Sequence, residues 1–121
     1  MTERMRALRA QIRAIKREMA TLEELRPGTL SRQYNVCGSP GCRCKANPPQ
    51  KHGPYYQLSY TRKGKGGTKA VKKADLPAIR TELASYARLR KLVDRWIDLA
   101  TELSDLKIEL RAAGRLPSKR S

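Results

Sequence analysis

The feature that most constrains this chain is the run CGSPGCRCKANPPQKHGPYY, residues 37–56, which holds all three cysteines and the only histidine. Cys37, Cys42, Cys44 and His52 follow the spacing C-x4-C-x-C-x7-H. Three thiolates and one imidazole are the donor set of a tetrahedral structural zinc site. Gly38, Pro40 and Gly41 let the chain fold back so that the sulfurs converge. Pro48, Pro49 and Gly53-Pro54 turn it toward the same point again. The expectation is one structural Zn2+ held by these four residues, with no open position and hence a staple rather than a catalyst. Other readings of the cluster are a Cys42–Cys44 redox dithiol, free cysteines beside a structural His52, and an iron–sulfur centre, which ordinarily takes four cysteines. In the zinc reading, Arg43 and backbone N–H groups of the loop are expected to hydrogen-bond the sulfurs.

A staple suits the size and charge of the chain. It has 121 residues and no Phe, and 27 Lys and Arg stand against 11 Asp and Glu, for a net charge of +16. So small and charged a chain builds a small core. The charge is uneven. Residues 27–74 carry ten basic side chains and no acidic one, which places +10 of the +16 in the middle. Solubility does not require that bias, so the expected partner is a polyanion, nucleic acid before an anionic membrane surface. No apolar run approaches the ~20 residues that span a bilayer. The N-terminus lacks a secretory apolar region, and an odd cysteine count argues against a disulfide framework. The expected location is the reducing cytoplasm.

The cluster lies between two helical patterns. Met5, Leu8, Ile12, Ile15, Met19 and Leu22 form a heptad stripe that predicts a helix over 2–25, ended by Pro27-Gly28. A second stripe, Ile79, Leu83, Tyr86, Leu89, Val93, Trp96, Ile97, Ala100, Leu103, Leu106 and Leu110, predicts a long helix from an Asp75 N-cap to Ala113, stopped by Gly114. Neither is stable alone, so antiparallel pairing is the economical arrangement. The surplus stripe of the longer helix is then either frayed into solvent or a homodimer seam, the second being the expectation. Between the helices the period falls to two. TLSRQYNV, YYQLSYTR and TKAVKK read as three strands, with KGKGG as the turn between the last two.

The predicted class is α+β: a small three-stranded antiparallel sheet with a zinc loop, flanked by two long helices pairing as an antiparallel coiled coil. The divisions are an N-terminal helix over 1–26, the zinc loop and β head over 27–74, the long helix over 75–114 and a basic flexible tail over 115–121.

The runs QYNVCGSPGCRC and HGPYYQLSY, a Gly-Lys turn and SYARLRKLVDRWIDL together resemble a family of small basic bacterial and archaeal proteins, a domain of unknown function often encoded near mobile elements. The likeness covers roughly residues 28–103 and is most specific in the cysteine loop and at His52-Gly53-Pro54-Tyr55-Tyr56. It implies a zinc-binding module of sheet and helix and brings no function with it. A weaker similarity, to the three-stranded arm-binding domains of tyrosine recombinases, suggests a sheet in a DNA major groove. The catalytic set of those enzymes is absent, so this is fold-level analogy.

The functional expectation is a non-enzymatic, zinc-stabilised nucleic-acid-binding protein, with duplex DNA the first candidate. If Tyr56, Leu58, Tyr60 and Val71 face the core, the other face carries Tyr55, Gln57, Ser59 and Thr61 beside Arg62, Lys63 and Lys65. Lys69, Lys72 and Lys73 on the return strand suit phosphates, and Arg32, Arg43, Lys45 and Lys51 ring the loop. Tyr55 is expected to be exposed; Tyr34, Tyr56, Tyr60 and Tyr86 are expected to pack. An enzyme is disfavoured, because the head has no carboxylate and its histidine is committed to the metal. Asp94, Asp98, Glu102 and Asp105 follow helical spacing among basic residues, as surface pairs do. The rival readings are a protein–protein adaptor using the long helices and a structured-RNA or ribosome binder.

Overall fold

The computed structural model describes residues 2–117; most of the expected basic tail, residues 118–121, lies outside the described residues. The elements are α1 (Glu3–Thr21), β1 (Thr29–Asn35), β2 (His52–Arg62), β3 (Lys65–Val71) and α2 (Leu76–Ala112). Short 3-10 turns occupy Arg43–Lys45 and Lys73–Asp75. The class is α+β, with a three-stranded antiparallel sheet. The chain divides into two compact units: a helical unit of α1 with α2 from Ala87 onward, and a head, Glu24–Tyr86.

In the helical unit, α1 starts where Thr2 caps it, its Oγ1 accepting from the Met5 N–H at 3.1 Å. The helix ends at Thr21, short of the predicted residue 25. Glu23 and Glu24 follow, and no basic side chain lies in the last turn, so further helix would bring carboxylates to the negative end of its dipole. Three cross-helix pairs fix the direction: Arg4 Nε donates to Glu102 at 3.1 Å, Arg95 to Gln11 at 3.1 Å, and Arg88 Nη2 to Glu18 at 2.7 Å. Each step of seven residues forward on α1 is seven backward on α2, so the helices run antiparallel in heptad register. Leu8, Ile12 and Ile15 pack with Leu92 and Leu99, and Met19, Trp96, Leu103 and Leu106 close the sides. Lys16 lies over the Trp96 ring, 5.0 Å from its centroid.

The expected stop at Gly114 is present. Gly114 has φ +73, its N–H donates to Arg111 O at 3.0 Å, and the Arg115 N–H donates to Leu110 O at 2.8 Å. That bond pattern is a Schellman cap, which needs the left-handed residue that Gly supplies. The surplus apolar surface falls on the outer side of α2, where Ile97 and Ile108 are 56% and 58% exposed.

In the head, the strand order is β1-β2-β3. Tyr56 opposes Arg32 and Val71, Leu58 opposes Leu30 and Lys69, and Tyr60 opposes Gly67. That face is packed around Leu58, which is 0% exposed, with Tyr56, Tyr60 and Val71 half-buried. Arg26 stacks on Tyr60, 5.1 Å from the ring centroid, and its N–H donates to Glu82 O in α2 at 3.3 Å. The turn is shorter than KGKGG suggests. Lys63 (φ 52) and Gly64 (φ 76) alone connect Arg62 to Lys65, as a two-residue turn with both central residues left-handed does. Gly66 and Gly67 therefore belong to β3. A Cβ on Gly67 would lie 2.8 Å from the Tyr60 ring, so the missing side chain is what lets the ring lie across the strand.

Candidate metal centre and basic head

The donors come from the end of the sheet away from the hairpin. Asn35 opposes His52, so Cys37 leaves β1 next to the residue that opens β2. The register shifts between Gln33 and Asn35. Opposite the shift, Gly53 has φ +136, and a Cβ there would lie 2.8 Å from Gln33 O. Only glycine lets the chain pass so close to β1 directly after the histidine. Cys42 and Cys44 are supplied by the 3-10 turn. The Cys42 N–H donates to Ser39 O at 3.2 Å, the Lys45 N–H to Cys42 O at 3.0 Å, and the Gln50 N–H to Arg43 O at 3.1 Å.

These local bonds bring the ligand atoms of Cys37, Cys42, Cys44 and His52 within 4.8 Å of one another. Cys37 Sγ and Cys44 Sγ are 3.5 Å apart, and Cys42 Sγ and His52 Nε2 are 3.1 Å apart. A disulfide needs ~2.0 Å, so all three cysteines are free thiols. A tetrahedral ion with Zn–S bonds of ~2.3 Å separates its sulfurs by ~3.8 Å. The Cys37–Cys44 pair at 3.5 Å lies just inside that edge, all four ligand atoms stay within 4.8 Å, and the donor set contains no carboxylate. The residues thus fit a four-coordinate metal ion. Cys44 is 1% exposed; the other three are half-buried.

The surroundings of the sulfurs differ. The Ser39 backbone N–H, followed by the His52, Cys44 and Cys42 side chains, lowers the Cys37 thiol to about 6. Burial, first of all, pushes Cys44 up. The Cys37 N–H also donates to Cys44 Sγ at 3.4 Å. Backbone groups therefore do part of what was expected of them, whereas among the described residues the sulfurs take no hydrogen bond from Arg43; its carbonyl holds the turn. Lys45 is likewise committed to the loop. Its Nζ donates to Ser39 O at 3.1 Å and to Cys37 O.

The other expected contact residues distribute as follows. Arg32, Arg43, Lys51, Arg62, Lys63, Lys65, Lys69, Lys72 and Lys73 are all exposed. Tyr55 is 51% exposed, as expected, but Tyr34 is 50% exposed and does not pack. The shift between Gln33 and Asn35 takes Tyr34 out of the alternation that would have turned it inward. The register also separates two groups expected side by side. Arg62 and Lys65 oppose each other on the face of Leu58 and Tyr60, while Tyr55, Gln57, Ser59 and Thr61 hold the other. Gln33 and Ser31, absent from the expected contact set, share that second face. Gln33 Nε2 donates to Gln57 Oε1 at 2.7 Å. The strict alternation of Thr29, Ser31 and Gln33 was the signal that could have found them.

Fold and site define a small α+β protein whose sheet end carries a Cys3His cluster able to hold a metal ion. The chain belongs to the family described as Domain of unknown function (DUF6788), which matches residues 5–81. The match takes in α1 and ends early in α2, whereas the sequence likeness suggested roughly 28–103. Neither a curated protein nor a solved structure matches the chain.

Proposed function

We propose that the protein is a non-enzymatic nucleic-acid-binding module whose head is held by one structural Zn2+. The observation that carries this reading is the coincidence of two features in one stretch. The Cys3His cluster closes within 4.8 Å, and residues 27–74 around it have ten basic side chains and no acidic one. Zinc is favoured because soft thiolates with one imidazole in a closed set suit it. A polyanion is favoured because nine of the ten basic side chains lie exposed and uncommitted to the metal loop, Lys45 being the exception. Duplex DNA is the first target and the cytoplasm the expected location. A role beside a mobile element, as accessory protein or regulator, rests on the family resemblance alone.

The test has two parts. Metal analysis of protein purified without added metal is expected to give one zinc per chain, lost in Cys42→Ser. Fluorescence anisotropy with a labelled duplex is expected to show affinity falling with salt at a log–log slope of about −0.9 per phosphate neutralised. Undetectable binding to DNA and RNA at low salt overturns the reading.

The exposed Ile97 and Ile108 favour a second reading, in which the outer side of α2 docks a protein partner or a second copy of the chain. Light scattering separates the two. A homodimer that also shifts DNA supports the first reading; a monomer that does not shift DNA supports an adaptor.

A further inference from the structure

Resting on the nucleic-acid reading above, we propose that the uncharged face of the sheet enters the major groove of duplex DNA and that Gln33 and Gln57 jointly recognise adenine there. The register assembles this face from Thr29, Ser31 and Gln33 of β1, Tyr55, Gln57, Ser59 and Thr61 of β2, and Gly66, Thr68 and Ala70 of β3. Not one of these is charged, although the surrounding stretch has ten Lys and Arg. The alternation places Arg32, Arg62, Lys65 and Lys69 on the opposite face. A sheet that only gripped phosphates would gain from lysines on both faces. One that must discriminate bases needs neutral donors and acceptors, because phosphate contacts position a protein and base contacts specify the sequence.

The hydrogen bonds say which base. Gln33 Nε2 donates to Gln57 Oε1 at 2.7 Å and to Ser31 Oγ at 3.5 Å, and Ser31 Oγ donates to Gln57 O at 3.3 Å. Both hydrogens of the Gln33 amide are thereby used. Gln33 Oε1, an acceptor, and Gln57 Nε2, a donor, belong to the two joined amides, take no hydrogen bond of their own among the described residues, and are left for an outside partner. Exchanging O and N on both amides leaves the same donor–acceptor pair. Adenine presents its complement in the major groove, the N6 amino donor beside the N7 acceptor. Guanine offers two acceptors there, so one of them would face Gln33 Oε1 without a proton between them.

The dimensions agree. A major groove ~12 Å wide admits a two-stranded ribbon, and β1 and β2, whose axes lie ~4.8 Å apart, are the pair that carries Gln33 and Gln57. From Tyr55 to Thr61 the face runs ~20 Å. Lys63 lies in the turn beyond one end, and Arg43 and Lys51 lie in the metal loop beyond the other, where phosphates would flank it. The deep, narrow major groove of A-form RNA does not admit such a face.

A pool of short DNA duplexes with randomised central positions, bound to the full chain and sequenced, tests this. The wild type is expected to enrich adenine over guanine about 5- to 150-fold at one position or more. Gln57→Ala and Gln33→Ala should each abolish that enrichment while zinc content and salt slope stay unchanged. Gln57→Glu should move the preference toward cytosine, whose N4 amino group donates to a carboxylate. Unbiased recovery by the wild type, enrichment that survives both alanine variants, or equal affinity for duplex RNA overturns the inference and leaves salt-dependent binding standing. Absence of any binding at low salt removes both.

Discussion

Removing the metal should unfold the head and spare the helical unit. Among the described residues the head has only three buried apolar side chains, Cys44, Leu58 and Leu76. At about 2 kcal/mol each, they supply about 6 kcal/mol. A structural zinc in a small module contributes about 10–16 kcal/mol. A zinc held by the cluster would then contribute more than the core, and the sheet is expected to unfold when that ion is removed. The helical unit buries Met5, Leu8, Ile12, Ile15, Leu92, Leu99 and Leu110, and the four candidate ligands all lie in the head. Hydrogen exchange read by mass spectrometry, with and without a strong zinc chelator, resolves the two. Peptides covering His52–Val71 should lose all measurable protection, since 10 kcal/mol is about seven decades in exchange. Peptides covering Glu3–Thr21 should keep theirs, and Cys44→Ser should reproduce the chelated pattern. Strand protection that is unchanged by chelation would refute the reasoning, because the core would then suffice.

Leu8→Ala removes a fully buried side chain from the helix pair and should cost about 2–5 kcal/mol by urea unfolding followed at 222 nm. Gly53→Ala forces a left-handed φ and a 2.8 Å approach to Gln33 O. It should destabilise the head by about 1–3 kcal/mol and raise the chelator sensitivity of the bound metal. Glu18 is held below its ordinary 4.5 by its hydrogen bond to Arg88. Its stabilising effect is therefore complete above pH 4.5 and is lost as pH falls through the lower folded value; thermal melts from pH 7 to 3 should show this component vanish in Glu18→Gln. Zinc should be released on acidification, as protons compete for three thiolates and an imidazole, which an indicator dye reports.

The heptad stripes and the cysteine spacing were readable because each is set by local periodicity or by donor chemistry. Leu8, Ile12, Trp96 and Leu103 mark their helix faces whatever the partner, but the stripe on α2 was traced through Val93 and the exposed Ile97, and the buried Leu92 and Leu99 were missed. What escaped depends on pairing. The register that puts Arg62 and Lys65 on the packed face follows from a two-residue turn at Lys63-Gly64, and a run with three glycines in five residues permits several turns. The exposure of Tyr34 follows from a one-residue irregularity opposite Gly53, which no alternation pattern encodes. The amide pair of Gln33 and Gln57 joins residues 24 apart and exists only once that register is known. The end of α1 was overextended because helix-forming residues continue to Leu25, while the helix dipole and the coming Pro27 act against them.

Cys37 follows the end of β1 and His52 opens β2, so a metal bridging them would close everything between into a tied-off ring. Within it, Ala46–Gln50 are exposed at every position. Residues inserted there would lengthen the ring without moving Leu58, Gln57 or any other strand partner by a single place. The segment is thus a natural docking port for grafted peptides or labels, and the sheet beneath it would not register the load.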